Sequence, residues 1–398
     1  MLEQSLSRAV LPKDLKLFNI RAYKSGHIWE VEKVRQEFEV CPKCATPSRA
    51  RAGRCTSVVR DEPLRQMGLW LKIHKHRYYC KKCRKPFTEP VSIVWPRRRT
   101  TQRFRKFIGA QCENIVDLKR VRTMQRISSG FVYQAYYSQI SIKLRERSNM
   151  CWPEVLGIDE HFFRRVKGEG TEFVTMLTDV KKRRLFEVAL GKSTKSLVEQ
   201  LAHIPGRDKV RLVVMDLSSG YRALAQKLFP NAKIIADKFH VLRLPSPMIM
   251  KAGKQIHGHK QELKTRRKLL YNRKNLEYFV RQDIDRYVAD YPALKEIYRA
   301  KEKLYQIYRT RGVNKASAAL FKFIGELKDS KIEDLKRLGR TLKRWSAQVL
   351  LYFEHRYTNA ITECLNNRGK LVQKRGFGFK SFKNYRLRVL RDPHTSLL

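Results

Sequence analysis

Acidic residues are the scarce class in this chain. Only 37 Asp and Glu stand against 86 Lys and Arg, leaving a formal charge of +49 at neutral pH over 398 residues. No monomeric small-molecule enzyme needs that self-repulsion, so the balance points to a polyanionic partner and a long contact path. A ribosomal-type RNA binder is the plainer alternative. Such proteins are usually small, whereas 398 residues with 42% hydrophobic content can bury a sizeable core and form two to four domains. Long apolar runs are also missing: none approaches the roughly 18 residues of a spanning helix, and Met1 to Ile20 has no basic segment followed by an apolar stretch. The expectation is a cytoplasmic protein that meets nucleic acid in place. Internal repeats and low-complexity segments are absent. Cysteines number eight, too scattered outside two CxxC pairs to form a disulfide framework, which fits a reducing compartment.

Among the few acids, Asp159 and Asp216 each close an apolar, β-rich run, Val155 to Ile158 and Val210 to Met215, too short for helices. Each carboxylate is therefore expected at the end of a buried strand. Further strands are read at Phe173–Val180, Leu185–Leu190 and Lys233–Ala236, with helices at Ser193–His203 and Tyr221–Leu228. The resulting order, β-β-β-α-β-α-β, suggests an antiparallel meander followed by parallel strands with helical crossovers. First and fourth strands as neighbours would bring Asp159 beside Asp216. Glu363 lies on a helix whose polar face also carries Asn359, Asn366 and Asn367, so it can reach back over the sheet. Three carboxylates held close repel one another unless cations neutralise them. Two Mg2+ (or Mn2+) ions about 4 Å apart would do so, and would activate a nucleophile on one side and a leaving oxygen on the other. Glu160 faces the opposite side of its strand from Asp159. Asp179 and Asp237 read as turn carboxylates, with a rival role for Asp237, together with His240, in orienting the site or touching DNA.

Cys41, Cys44, Cys80 and Cys83 form two CxxC knuckles, the pattern of a structural Zn2+ ribbon with four thiolates and no open position. A redox pair is the alternative. Nearby His74 and His76 are read as strand or DNA-facing residues and Cys55 as a spare thiol. Arg97, Arg98 and Arg99 read as a linker that either touches phosphates or is solvated. After it, Thr100 or Thr101 caps a helix carrying Phe104, Phe107 and Ile108. Leu118, Val121 and Met124, an interruption at Ile127–Gly130 and a resumption at Phe131 suggest a helix-turn-helix. Its second helix would offer Ser129, Tyr133, Gln134 and Tyr137 to a major groove, although an ordinary helical hairpin has the same signature. Residues 242–353 read as an all-helical insertion, strongly basic over 251–280, with a stripe of Leu294, Ile297, Leu304 and Ile307 as its own core. The final stretch, with Lys374 and Arg375, holds basic residues and no acid from 364 to 391.

Gly157-Ile158-Asp159-Glu160, Asp216 after its strand, Ala236-Asp237-Lys238-Phe239-His240-Val241 and Thr358-Asn359-Ala360 leading to Glu363 and Asn366 together resemble the ISL-three family of insertion-sequence transposases. One departure is Cys364, where a glycine commonly follows the glutamate. The resemblance spans nearly the whole chain and implies an α/β fold: a ribonuclease-H-like mixed sheet with an all-α insertion, preceded by a zinc ribbon and a helix-turn-helix. It implies a catalytic triad of Asp159, Asp216 and Glu363, double-stranded DNA as partner (element ends and target), cleavage followed by strand transfer, and a homodimer or larger assembly holding two ends. The expected segments are a zinc ribbon over 1–94, a helix-turn-helix over 95–150, a core over 151–241 and 354–398, and the insertion between. A ribonuclease-H-like nuclease or resolvase, and a DNA-binding regulator derived from a transposase, are the competing functions.

Overall fold

The computed structural model describes residues 10–115, 117–168, 170–257 and 263–392. The start of the N-terminal stretch and residues 258–262 of the basic stretch read above lie outside them. Two compact units emerge, Met1–Lys143 and Leu144–Leu398. Among the described residues no helix is long and apolar enough to cross a membrane.

In the first unit the strands are β1 (Leu15–Tyr23), β2 (Gly26–Lys33), β3 (Glu39–Val40), β4 (Pro47–Ser48), β5 (Arg51–Leu64), β6 (Met67–Cys80) and β7 (Lys85–Thr88). A sheet runs β1-β2-β6-β5 with β7 on β6, and β2 lies parallel to β6. Alternation sets its core: Leu69, Leu71 and Ile73 point inward with Trp29, Val31 and Val59. Helices follow at Gln102–Asn114, Leu118–Gln125 and Ser129–Lys143. Thr101 caps the first, its hydroxyl accepting the Phe104 N–H at 3.1 Å, and Ser128 caps the third through Phe131 at 3.2 Å. The segment read as a linker is tied to the sheet instead. Arg60 of β5 donates its N–H to Arg99 O at 3.0 Å and accepts the Thr101 N–H at 2.9 Å, because the chain there runs beside β5 as a short bridge.

The second unit carries β8 (Val155–Val166), β9 (Gly170–Asp179), β10 (Arg184–Leu190), the helix Thr194–Leu201, β11 (Leu212–Met215), the helix Ser219–Leu228 and β12 (Lys233–Ala236). This is the β-β-β-α-β-α-β order of the sequence reading. The sheet runs β10-β9-β8-β11-β12, antiparallel through the meander and parallel across β8, β11 and β12. All four residues of β11 are buried, as a strand covered on both faces requires. One face packs on the helices between Lys238 and His355, where Leu294, Ile297, Leu304 and Ile307 are buried on the helix Pro292–Arg309. The other face holds Phe163, Val174, Met176 and Val188, covered by Leu365 and Val372 of the helix Ala360–Arg375 and by Tyr385 and Val389 of Phe382–Arg391.

One expectation needs correction. Asp159 does not end its strand: β8 continues to Val166, and Asp159 pairs with Met176 of β9. The parallel pairing with β11 is what stops there, at Ile158 opposite Met215. Asp159 is thus left half-buried beside the end of its shorter neighbour.

Candidate active site and zinc centre

Because Met215 lies opposite Ile158, the residues that follow them, Asp216 just past the end of β11 and Asp159 within β8, stand at the same level on adjacent parallel strands. The Ala360–Arg375 helix crosses β8 at this level, and glycine makes the approach possible. A Cβ on Gly157 would stand 2.0 Å from Thr362 Oγ1 and 3.0 Å from Asn359 Oδ1; one on Gly369 would stand 2.8 Å from the Tyr385 hydroxyl. Strand alternation then aims Gly157, Asp159 and His161 at this helix, while Glu160 turns to the face of Tyr221.

A relay of hydrogen bonds fixes Asp159. Asn366 donates its amide to Asp159 Oδ2 at 2.6 Å and to Glu160 O at 2.9 Å, so its carbonyl oxygen faces His161 Nδ1 and accepts from it. His161 Nε2 therefore accepts from the buried Tyr385 hydroxyl, at 2.8 Å. Burial holds the His161 pKa down at about 4, which keeps the ring neutral, and the Asn366 carbonyl oxygen sets its tautomer. For Asp159 itself, burial is the largest influence and raises the pKa; Asp216 adds to the rise and the Asn366 amide opposes it. A second carboxylate pair sits beside this one. Asp237 caps the helix Lys238–Arg243 by accepting the Phe239 and His240 N–H groups, each at 3.1 Å, and also accepts the Asn359 N–H at 2.8 Å. His240 Nδ1 lies 2.8 Å from Asp216 Oδ1 and 3.0 Å from Asp237 Oδ2, and hydrogen bonds to the two raise its pKa to about 10. Burial works to raise the Asp237 pKa, yet His240 and the backbone donors bring it below the ordinary value. Asp237 is thus both the cap of this helix and a hydrogen-bond partner of His240.

Glu363 lies one helical turn before Asn366, with its carboxylate 3.7 Å from the Arg243 guanidinium. The three acids do not close into one tight cluster: among the described residues, the carboxylate-bearing group with ligand atoms within 4.8 Å of one another is Asp216, Asp237 and His240. The donors nevertheless suit a hard divalent cation. Asn359 Oδ1 and Thr362 Oγ1, both beside Gly157, are buried with no hydrogen-bond partner among the described residues, and the carboxylate oxygens of the acids are hard donors.

At the other centre Cys41, Cys44, Cys80 and Cys83 bring their sulfurs within 4.8 Å of one another, with Cys44 and Cys80 3.5 Å apart. Sulfurs on a zinc tetrahedron with bonds of about 2.3 Å stand only slightly farther apart. Ala45 and Arg84, one residue past each knuckle, both turn left-handed, at φ 57° and 52°, and the Cys83 N–H points at Cys80 Sγ at 3.4 Å. Hydrogen bonds with Thr46 bring the Cys44 thiol down to about 6, while Cys44 pushes Cys83 up to about 12. Four such thiols release all their protons only when a cation replaces them. Cys55 is outside the cluster; His74 and His76 lie on β6, 3.7 Å from Glu30 and 3.5 Å from Glu89.

The proposed DNA contacts divide. Ser129, Tyr133 and Gln134 are exposed on their helix, as are Arg97, Arg98 and Arg99, and Lys374 and Arg375. Tyr137 is buried, packed on Tyr133 and Tyr136 with ring centroids 5.6 and 5.2 Å away, since it shares the inward face of Val132, Ala135, Tyr136 and Ile140. His161, Asn366 and Tyr385 were not assigned roles from sequence. Their one legible signal is register: His161 shares a strand face with Asp159, and Asn366 a helix face with Glu363.

Residues 156–389 match the family model described as "Transposase" for the ISL3 group of DDE enzymes. The chain belongs to this family of transposases. Its residues 37–83, with all four ligand cysteines, match the model for the zinc-finger of transposase IS204/IS1001/IS1096/IS1165. A transposase for insertion sequence element IS1001 from Bordetella parapertussis is 22% identical over 369 residues, covering 88% of this chain and 87% of that one. An ATP-dependent protease from Lactococcus lactis subsp. lactis is 31% identical over 124 residues, or 30% of this chain and 37% of that protein. So short a match carries no function across. Membership of the ISL3 transposases implies DNA as partner, a divalent metal for the acids and zinc for the ribbon.

Proposed function

We propose that this transposase binds the ends of its insertion sequence, cuts phosphodiester bonds there and joins the freed ends to target DNA. The observation that carries the reading is the convergence of Asp159 and Asp216 on adjacent parallel strands beneath the Glu363 helix. An antiparallel meander running into parallel strands, with acids on the first and fourth, supports taking the sheet as ribonuclease-H-like. Asp159, Asp216 and Glu363 would hold Mg2+ or Mn2+, which when bound supply Lewis acidity to the attacking and departing oxygens. The residues themselves do the positioning. Asn366 orients Asp159, His240 neutralises part of the charge on Asp216, and Asp237 holds His240 in place. The zinc ribbon and the exposed Ser129, Tyr133 and Gln134 would engage the element ends, and Lys374 and Arg375 the phosphates beside Glu363. Concerted transfer of two ends calls for a dimer or larger assembly.

The test is Mg2+- or Mn2+-dependent cutting of a labelled duplex bearing the element's ends, comparing the wild type with Asp216→Asn and Glu363→Gln. Cutting by the wild type alone, with binding retained by all three, supports the triad. Binding without cutting by any of them makes the chain a DNA-binding regulator.

A further inference from the structure

The turn that follows the Glu363 helix holds an outlier. Phe377 is 85% exposed, the most uncovered large apolar residue among those described, and its backbone is left-handed at φ 53°. The helix Ala360–Arg375 closes in a two-bond cap, in which Phe377 donates its N–H to Lys374 O at 3.1 Å and Gly378 donates to Gln373 O at 3.0 Å. Phe377 thereby takes the position where such caps ordinarily place glycine, since a side chain there crowds its own carbonyl. Glycine occupies both neighbouring positions, 376 and 378, and not this one. Packing is left to Phe379. Gly376 lies so close to that ring that an added Cβ would stand 2.7 Å from it, and Tyr385 meets it with centroids 5.4 Å apart. A left-handed phenylalanine costs the fold, and a ring left in water returns nothing by burial. Its use therefore lies outside the fold.

The surroundings select the partner. Lys374, Arg375, Lys380 and Lys383 are all exposed around Phe377, and the sequence has no acid from 364 to 391. This turn repels a second copy of a chain carrying +49 and attracts a polyanion. Duplex DNA offers an apolar ring one surface, the faces of its stacked bases, with phosphates on either side. We propose that Phe377 is a wedge that enters between two stacked base pairs of the element's terminal duplex while Lys374, Arg375 and Lys380 hold the flanking phosphates, so that the duplex kinks at this turn. The inference rests on the reading of the chain as a DNA-cutting transposase. A wedge needs a rigid mount, and here Arg164 of β8 donates to Lys380 O and Gln373 donates to Phe163 O of the same strand. The mount also sets where the kink falls. From Glu363 to Phe377 the chain advances about 21 Å at about 1.5 Å per residue of helix, or about six base pairs at about 3.4 Å each.

The experiment uses the full chain on the element's terminal duplex, carrying a donor dye at one end and an acceptor at the other, without added Mg2+. Binding by the wild type should bring the dyes together, and gel shifts on circularly permuted fragments should place the bend within about six base pairs of the cut. Phe377→Gly should bind without bending, while Phe377→Leu, which keeps an apolar side chain, should retain most of the bend. Glycine suits the left-handed position, so Phe377→Gly should melt no lower than the wild type. Lys374→Ala and Arg375→Ala should each flatten the dependence of log affinity on log salt by about 1. In Mg2+, Phe377→Gly should cut the intact duplex about tenfold or more slowly, and a small bulge at the kinked step should restore its rate. No bend on a bound duplex, a bend that survives Phe377→Gly, or a lower melting temperature for that variant overturns the proposal. Wild-type cutting is scored separately. Cutting without a bend removes the wedge and keeps the transposase chemistry; a bend that depends on Phe377, with no wild-type cutting, does the reverse.

Discussion

The two centres of this protein are assembled in opposite ways. At the zinc ribbon, each pair of ligands comes from one tight turn, and the small β3–β4 sheet carrying the first turn is tied to β6, which leads into the second, by Ser48 and Ala50 bonded to the Tyr79 backbone. At the carboxylates, Asp159 is held by Asn366 from 207 positions away, across a helix that closes only because Gly157 has no side chain. The first centre depends on a metal to hold local turns in place, the second on a remote packing contact to hold acids in place. Damage to each should therefore show in different measurements.

The largest effect is expected at the ribbon. Cys80 is buried with 1% exposure, and Cys80→Ser leaves three thiolates around the cation. Structural zinc contributes about 10–16 kcal/mol in small zinc domains near neutral pH, so its loss should unfold the knuckles outright. Metal analysis should fall from about one zinc per chain, and limited proteolysis should open the segment from Glu39 to Thr88 while Leu144–Asp392 resists. If the variant keeps its zinc, the four-thiolate assignment is wrong.

Gly157→Val probes the other kind of assembly. The new side chain meets Thr362 Oγ1 and lifts the Glu363 helix, an overpacking that costs about 1–3 kcal/mol. Because an error of about 1 Å near the reacting atoms costs about 100-fold in rate, cutting should collapse while zinc content stays unchanged. Adding Thr362→Ala, which removes a hydroxyl that has no hydrogen-bond partner among the described residues, should return part of both losses. No recovery in the double variant would detach the helix–strand contact from the chemistry.

This contrast also explains what could be read from the chain alone. CxxC spacing is local, so the four ligands were legible, as were the apolar runs of β8 and β11 and the meander order. A polar residue closing an apolar run looks the same whether the strand stops or turns half-buried, so Asp159 reads as a strand end; the alternation of His161 and Phe163 beyond it is the sign that the strand continues. Tyr137 lies one turn after the exposed Tyr133, yet it continues the buried face of Val132, Ala135, Tyr136 and Ile140, a packing that depends on the neighbouring helix. The relay through His161, Asn366 and Tyr385 spans 205 and 224 positions, and no local pattern encodes contacts made by docking two helices on a sheet.

The smallest expected effect is also the most selective. Tyr385→Phe removes one hydroxyl and leaves His161 Nε2 buried without its donor, at a cost of about 1–3 kcal/mol in a melt. Shape is preserved, so the helix stays on the strand. If the relay only stiffens the fold, cutting at saturating Mg2+ and the Mg2+ concentration for half-maximal rate will both match the wild type. If it orients Asp159, the half-saturating Mg2+ concentration should rise by about tenfold with little change in the maximal rate, because the misaligned carboxylate binds the cation less well but still functions once it is bound. Gly157→Val should lower the maximal rate itself. A Tyr385→Phe profile that instead loses maximal rate would place the hydroxyl closer to the chemistry than its position behind His161 allows, and would break the distinction between holding an acid and holding the helix that covers it.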